Sequence, residues 1–129
     1  MMGQQPMAIR ILVADDNRDL VLSISKLLEL TGHSVIAAHS AREAVDLLDE
    51  LPNIDLVLSD IRMPGVDGFD LLRVLRHRFP SLPIILMSGL PITPDDVVPL
   101  GASILTKPID MDELQSLIQQ KAANNNALR

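Results

Sequence analysis

The sequence predicts one open α/β domain, a doubly wound five-stranded parallel sheet with helices on both faces, and three observations lead there. The 129 residues suit a single domain at roughly 100 to 200 residues each, and fall short of the ~250 that a closed eight-unit barrel requires. Five short runs are almost wholly apolar instead of polar at alternate positions, the pattern of strands buried on both faces. The stretches between them carry apolar residues at helical spacing, so each turns one face inward.

Taken in order, residues 9–14 form the first run, and Leu20, Ile24, Leu27 and Leu28 mark the helix after it. Residues 35–38 are the second strand, followed by a helix with Ala44, Val45 and Leu48 inward; residues 56–59 are the third, followed by Leu72, Leu75 and Phe79. The fourth strand, 84–87, leads into a segment holding Pro91, Pro94 and Pro99. A helix there starts with Thr93 as cap and Pro94 in its first turn, and Pro99 limits it to about two turns, so a short or irregular fourth helix is expected. The fifth strand, 103–105, precedes a last helix with Met111, Leu114, Leu117 and Ile118 on one side and Asp110 as N-cap. Gly32, Gly68 and Gly101 punctuate the joins. The domain is expected to span 8–121, with 1–7 and 122–129 as flexible termini, the latter a frayed tail carrying Asn124, Asn125 and Asn126.

Composition removes several function classes. The longest uninterrupted apolar run is four residues, against the ~20 of a membrane span, so no membrane segment is expected. The first residues have neither the basic nor the apolar stretch of a secretion signal, which favours a cytoplasmic location. With no cysteine, disulfides, thiolate zinc sites and cysteine nucleophiles are excluded. A net charge of -6, with Phe69 and Phe79 as the only aromatics, argues against direct nucleic-acid binding.

In an open parallel sheet, groups at the carboxyl ends of the strands share one edge, where ligands bind. Asp15 and Asp16 follow the first strand, His39 and Ser40 the second, Asp60 the third, Ser88 and Gly89 the fourth, Lys107 and Pro108 the fifth. Three carboxylates on one edge repel unless a cation sits between them. Oxygen donors without thiolates suit Mg²⁺, which keeps several waters and is often completed by a phosphate. Lys107 and Ser88 add the positive group and the hydroxyl that stabilise a phosphoryl group in transfer, leaving one carboxylate as nucleophile.

Four pieces in order carry a family resemblance: Ile11-Leu12-Val13-Ala14-Asp15-Asp16-Asn17, Asp60-Ile61-Arg62-Met63-Pro64-Gly65-Val66-Asp67-Gly68, Leu86-Met87-Ser88-Gly89, and Lys107-Pro108. From about residue 9 to 120 the chain resembles a response regulator receiver domain of two-component signal transduction. The resemblance implies a flavodoxin-like sheet of strand order 2-1-3-4-5 in three α/β/α layers. It implies that Asp60 accepts a phosphoryl group from a histidine kinase or histidine phosphotransfer protein. Asp16 and Asp60 would bind Mg²⁺ directly, Asp15 through a metal-bound water, and Arg62 through its backbone carbonyl. Ser88 and Lys107, the latter joined by a cis peptide to Pro108, would contact the phosphoryl oxygens. Such a domain is a signalling module and not an enzyme beyond assisting its own phosphorylation and dephosphorylation; its downstream partner is not named by the sequence. A degenerate receiver that binds partners without phosphorylation is the alternative.

Singly, each residue has a plainer reading: Asp15 and Asp16 as helix caps, a role that Asn17 also offers, Asp60 as a turn former, Ser88 as a cap, Lys107 as a solvated charge. Their agreement at four strand ends favours the shared site. His33, His39 and His77 share no metal-binding spacing and are assigned to the surface. A haloacid-dehalogenase-type phosphatase expects a second Asp where Arg62 stands, and a flavin module lacks its phosphate loop and aromatics here. Ile104 occupies the place of the aromatic that many receivers use in signalling, and the stretch from Ser88 to Lys107 is about one helical turn short, as in receivers of hybrid histidine kinases. The dimer that many receivers form through the face of the fourth helix is therefore not expected. Arg62 and Leu90 stand where receivers tune acyl-phosphate lifetime, and slow hydrolysis is expected relative to Arg62→Ala and Leu90→Asn.

Overall fold

The computed structural model describes residues 8–64, 66–89 and 101–127. The elements are β1 (Arg10–Ala14), α1 (Arg18–Leu30), β2 (Ser34–Ala38), α2 (Ala41–Glu50), β3 (Leu56–Asp60), β4 (Arg62–Met63), β5 (Val66–Asp67), α3 (Gly68–Arg78), β6 (Ile84–Ser88), β7 (Ala102–Thr106) and α4 (Met111–Ala127). Five strands form one sheet of order β2-β1-β3-β6-β7, with every pairing parallel. Counting only these five, the order is the expected 2-1-3-4-5. The two-residue β4 and β5 pair antiparallel as a separate hairpin after Asp60; nothing in the sequence reading anticipated it. The short helix expected around Thr93, Pro94 and Pro99 lies outside the described residues, as does Leu90.

The apolar runs are continuous because the central strands are covered twice. Ile11, Leu12, Val13 and Ala14 are each 0% exposed, and β3 and β6 are buried along their whole length. Alternation sends successive residues to opposite layers. Leu12, Val57 and Leu86 join Ala44 and Leu48 of α2 and Leu72 and Leu75 of α3. Ile11, Val13, Leu58 and Ile85 join Ile24 and Leu28 of α1 and Leu114 and Ile118 of α4. Among the described residues no helix is long and apolar enough to cross a membrane.

Capping residues fix where the helices begin. Asn17, not an aspartate, caps α1, its side chain accepting from the Leu20 N–H. Ser40 accepts from the Glu43 N–H at 3.0 Å while the Glu43 carboxylate accepts from the His39 N–H at 2.9 Å, a variant of the reciprocal capping box. The Asp110 carboxylate accepts from the N–H groups of Asp112 and Glu113 at the start of α4, as expected.

Three local expectations are corrected. Leu27 is exposed; the inward stripe of α1 runs through Val21, Ile24 and Leu28, because 3.6 residues per turn rotates position 27 away from that line. The tail from Ala122 is helical to Ala127, with Ala122 buried in the α1/α4 layer, since neither Gly nor Pro interrupts it. His33 is not at the surface but buried. Gly32, at φ 98, turns the chain back after α1 in a conformation glycine adopts without strain. The His33 Nδ1 then accepts from the Ile9 N–H at 3.1 Å. His39 is half-buried, and His77 is exposed as expected.

Burial holds the His33 imidazole below its ordinary value of 6.5. The neutral ring is favoured in the folded chain, so its contribution to stability is present above the unfolded value. It is lost as pH falls from there through the folded value, because the unfolded chain takes the proton more readily. Thermal melts of His33→Gln are expected to lose less stability than the parent as pH falls below about 6.5. Parallel pH profiles would show that the imidazole contributes nothing to the dependence.

Candidate functional site

The site is assembled at the carboxyl edge of the sheet, where β1, β3, β6 and β7 end side by side. The Asp15 N–H donates to the Ala38 carbonyl at 3.1 Å, which carries the chain one residue past β1 and places the Asp15 side chain inside the edge, 1% exposed. One Asp15 oxygen accepts from the Asn17 N–H at 2.9 Å and the other from the Lys107 Nζ at 3.0 Å. Asp60 closes β3 and is also buried; its Oδ1 accepts from the Arg62 N–H at 3.2 Å. Its Oδ2 lies 3.4 Å from the Lys107 Nζ.

Lys107 reaches this position because its N–H donates to the Ser88 carbonyl at 2.7 Å, locking the end of β7 against β6. The Lys107–Pro108 peptide is cis. Ser88 is buried and pairs in register with Thr106. Asp16 is exposed, yet carboxylate oxygens of Asp15, Asp16 and Asp60 lie within 4.8 Å of one another. Four of the six residues singled out in the sequence, Asp15, Asp16, Asp60 and Lys107, therefore meet in one place. Ser88 stands on the adjacent strand end, and the Arg62 side chain is exposed while its backbone reaches Asp60.

The electrostatics follow from that crowding. Burial pushes the Asp60 carboxyl above its ordinary range and the Asp15 charge adds to this, while the Arg62 N–H and Lys107 oppose it. Burial alone would lower the Lys107 ammonium, but its bond to Asp15 and the charges of Asp60 and Asp15 raise it above its ordinary value. The ammonium is thus the internal counter-ion of the two buried carboxylates. A small divalent cation with oxygen preference suits the same donor set, three carboxylates open to solvent on the Asp16 side.

Asn17, which the sequence offers as a cap beside the aspartates, does cap α1; what sequence reasoning missed is that its N–H donates to Asp15 and that Asp15 pairs directly with Lys107. The Lys107–Asp15 pair joins residues 92 apart, for which no local signal exists. Ile104 is partly buried and packs against the layer formed with α2 and α3.

Comparison with known proteins shows the family. Residues 11–119 match the family model of the response regulator receiver domain. The chain is 39% identical over 113 residues to the transcriptional regulatory protein CpxR of Escherichia coli (strain K12), covering 85% of this chain and 47% of CpxR. It spans a quarter to a half of the length of such curated relatives. A receiver domain protein from Clostridium thermocellum superposes with a TM-score of 0.85 at 29% identity, covering 94% of this chain and 99% of that one. The response regulator protein TrrA from Thermotoga maritima, in complex with Mg²⁺-BeF, gives 0.80 at 27% identity, covering 88% and 98%. The chain belongs to the response regulator receiver domain family.

Proposed function

We propose that the domain is the phosphoacceptor of a two-component phosphorelay, with Asp60 as the residue phosphorylated. The observation that carries this reading is the placement of Lys107 between Asp15 and Asp60 beside three carboxylates close enough to share one cation. A carboxylate oxygen of Asp60 attacks the phosphorus of a phosphohistidine; the P–N bond breaks, an O–P bond forms, and the imidazole leaves. Asp16 and Asp60 would hold Mg²⁺ directly, with Asp15 through a water and the Arg62 carbonyl completing the protein donors. When bound, Mg²⁺ supplies neutralisation of charge on the phosphoryl oxygens. Ser88 and Lys107 donate to those oxygens as charge redistributes. The TrrA complex with Mg²⁺-BeF supports the assignment of the ion.

The donor is a histidine kinase or a histidine phosphotransfer protein, and the output is a conformational signal to a protein partner. With Ile104 in place of an aromatic, the signal leaves through repacking of β7 and not through the swing of a ring. We place the domain in the cytoplasm, where such donors present their phosphohistidine.

Intact mass after treatment with acetyl phosphate and Mg²⁺ tests the reading. The parent is expected to gain one phosphoryl group and Asp60→Asn none. An unmodified parent would instead support the degenerate, phosphorylation-independent binding module. Arg62→Ala, in the same assay, is expected to shorten the lifetime of the modified form by a few fold, because an exposed cation beside the acyl phosphate is lost.

A further inference from the structure

We infer that Ser59 is a positioning residue for Asp60, acting through the main chain; this rests on the phosphoacceptor reading above. Ser59 is 1% exposed. In the sheet its partners are Ala14 on one side and Leu86 on the other, both members of the apolar layer under α2 and α3. An Ala or Val would serve packing there at least as well, so the hydroxyl requires another explanation.

The hydroxyl donates to the Asp60 carbonyl at 3.0 Å. That carbonyl is where the sheet ceases to provide for itself. β1 stops at Ala14, opposite Ser59, so β1 has no strand residue opposite Asp60. The other polar atom of the same peptide, the Ile61 N–H, donates to the Met87 carbonyl at 2.9 Å. Ser59 and Met87 therefore grip the Asp60–Ile61 peptide from its two sides and fix the plane from which the Asp60 side chain departs. The next N–H, that of Arg62, is thereby aimed at Asp60 Oδ1. Because side chains alternate along a strand, the Ser59 hydroxyl works from the face opposite the carboxylate. It touches neither the phosphoryl group nor a cation. Without it the buried carbonyl is left without this donor, the peptide tilts to find another, and the attacking oxygen leaves its line of approach. Rate is sensitive to such displacements, and with Mg²⁺ saturating the loss is expected in the maximal rate.

The test is phosphorylation by acetyl phosphate at saturating Mg²⁺, followed by intact mass across donor concentrations, in the parent, Ser59→Ala and Ser59→Thr. The maximal rate of Ser59→Ala is expected to fall roughly tenfold with the half-saturating donor concentration unchanged. Ser59→Thr, which keeps the hydroxyl, is expected to stay within about twofold of the parent. Amide exchange gives a second reading: Ile61 and Arg62 are expected to exchange faster in Ser59→Ala while Val57 does not change. A parent-like rate in Ser59→Ala, equal losses in both variants, a changed half-saturation alone, or unchanged exchange at Ile61 would each overturn the inference. A parent that takes up no phosphoryl group would instead overturn the function on which it rests.

Discussion

Lys107→Ala is expected to slow phosphoryl uptake roughly 10²- to 10³-fold and, at the same time, to tighten Mg²⁺ binding. Both effects follow from one contact set, the Nζ lying 3.0 Å from Asp15 and 3.4 Å from Asp60. During transfer the ammonium is a donor fixed next to the nucleophile, and its removal subtracts a charge-assisted bond to the phosphoryl oxygens. Before transfer it occupies the carboxylates that a divalent ion must also use. Deleting it leaves Asp15, 1% exposed, buried with the Asn17 N–H but without its counter-charge. Breaking a fully buried pair costs about 3–5 kcal/mol; here the lysine side chain is 26% exposed, so solvent screens it and a metal-free loss nearer ~1–3 kcal/mol is expected. That strain is relieved when a cation enters, so linkage requires the variant to bind Mg²⁺ more strongly. Calorimetric titration with Mg²⁺ separates this from simple damage, because a disordered site would bind more weakly. Lys107→Arg does not restore the parent, since a planar fork cannot occupy the place of a compact ammonium between two carboxylates.

The parts of this site that were legible in the sequence are those in which burial leaves a local trace. β3 is apolar because both its faces are covered, and Asp60 stands out because a carboxylate ends such a run. The edge argument then places Asp15, Lys107 and Ser88 by topology alone. What was illegible depends on contacts between distant residues or on geometry below the period of any pattern. The Lys107–Asp15 bond closes a separation of 92 residues. β4 and β5 are two residues each, too short to show alternation. His33 reads as a surface residue until the turn at Gly32 is known to bring it under Ile9. Leu27 and Leu28 are indistinguishable by composition, and only the helix phase decides which is buried.

Asp60→Asn, the variant expected to abolish phosphoryl uptake, is also expected to raise the stability of the metal-free domain at neutral pH. Burial and the Asp15 charge raise the Asp60 carboxyl above its ordinary value of 3.8. The folded chain therefore binds the proton more tightly than the unfolded chain. Stability then falls as pH rises from the unfolded value through the folded one, and above that window the ionised carboxylate is a constant burden on the fold. Asparagine keeps the shape and an oxygen acceptor for the Arg62 N–H while removing the charge. Its advantage over the parent should be absent below the window and fully developed above it. Mg²⁺ reverses the comparison: a ligand at about 100 times its Kd adds about 2.7 kcal/mol to whichever chain binds it, and the parent has three carboxylates within 4.8 Å where the variant has two. Thermal melts with Mg²⁺ and with chelator should therefore rank the two proteins in opposite order. A parent more stable than Asp60→Asn in chelator at neutral pH would mean that Lys107 and the Arg62 N–H outweigh burial and Asp15, and the carboxylate cluster would then hold no strain for a cation to relieve.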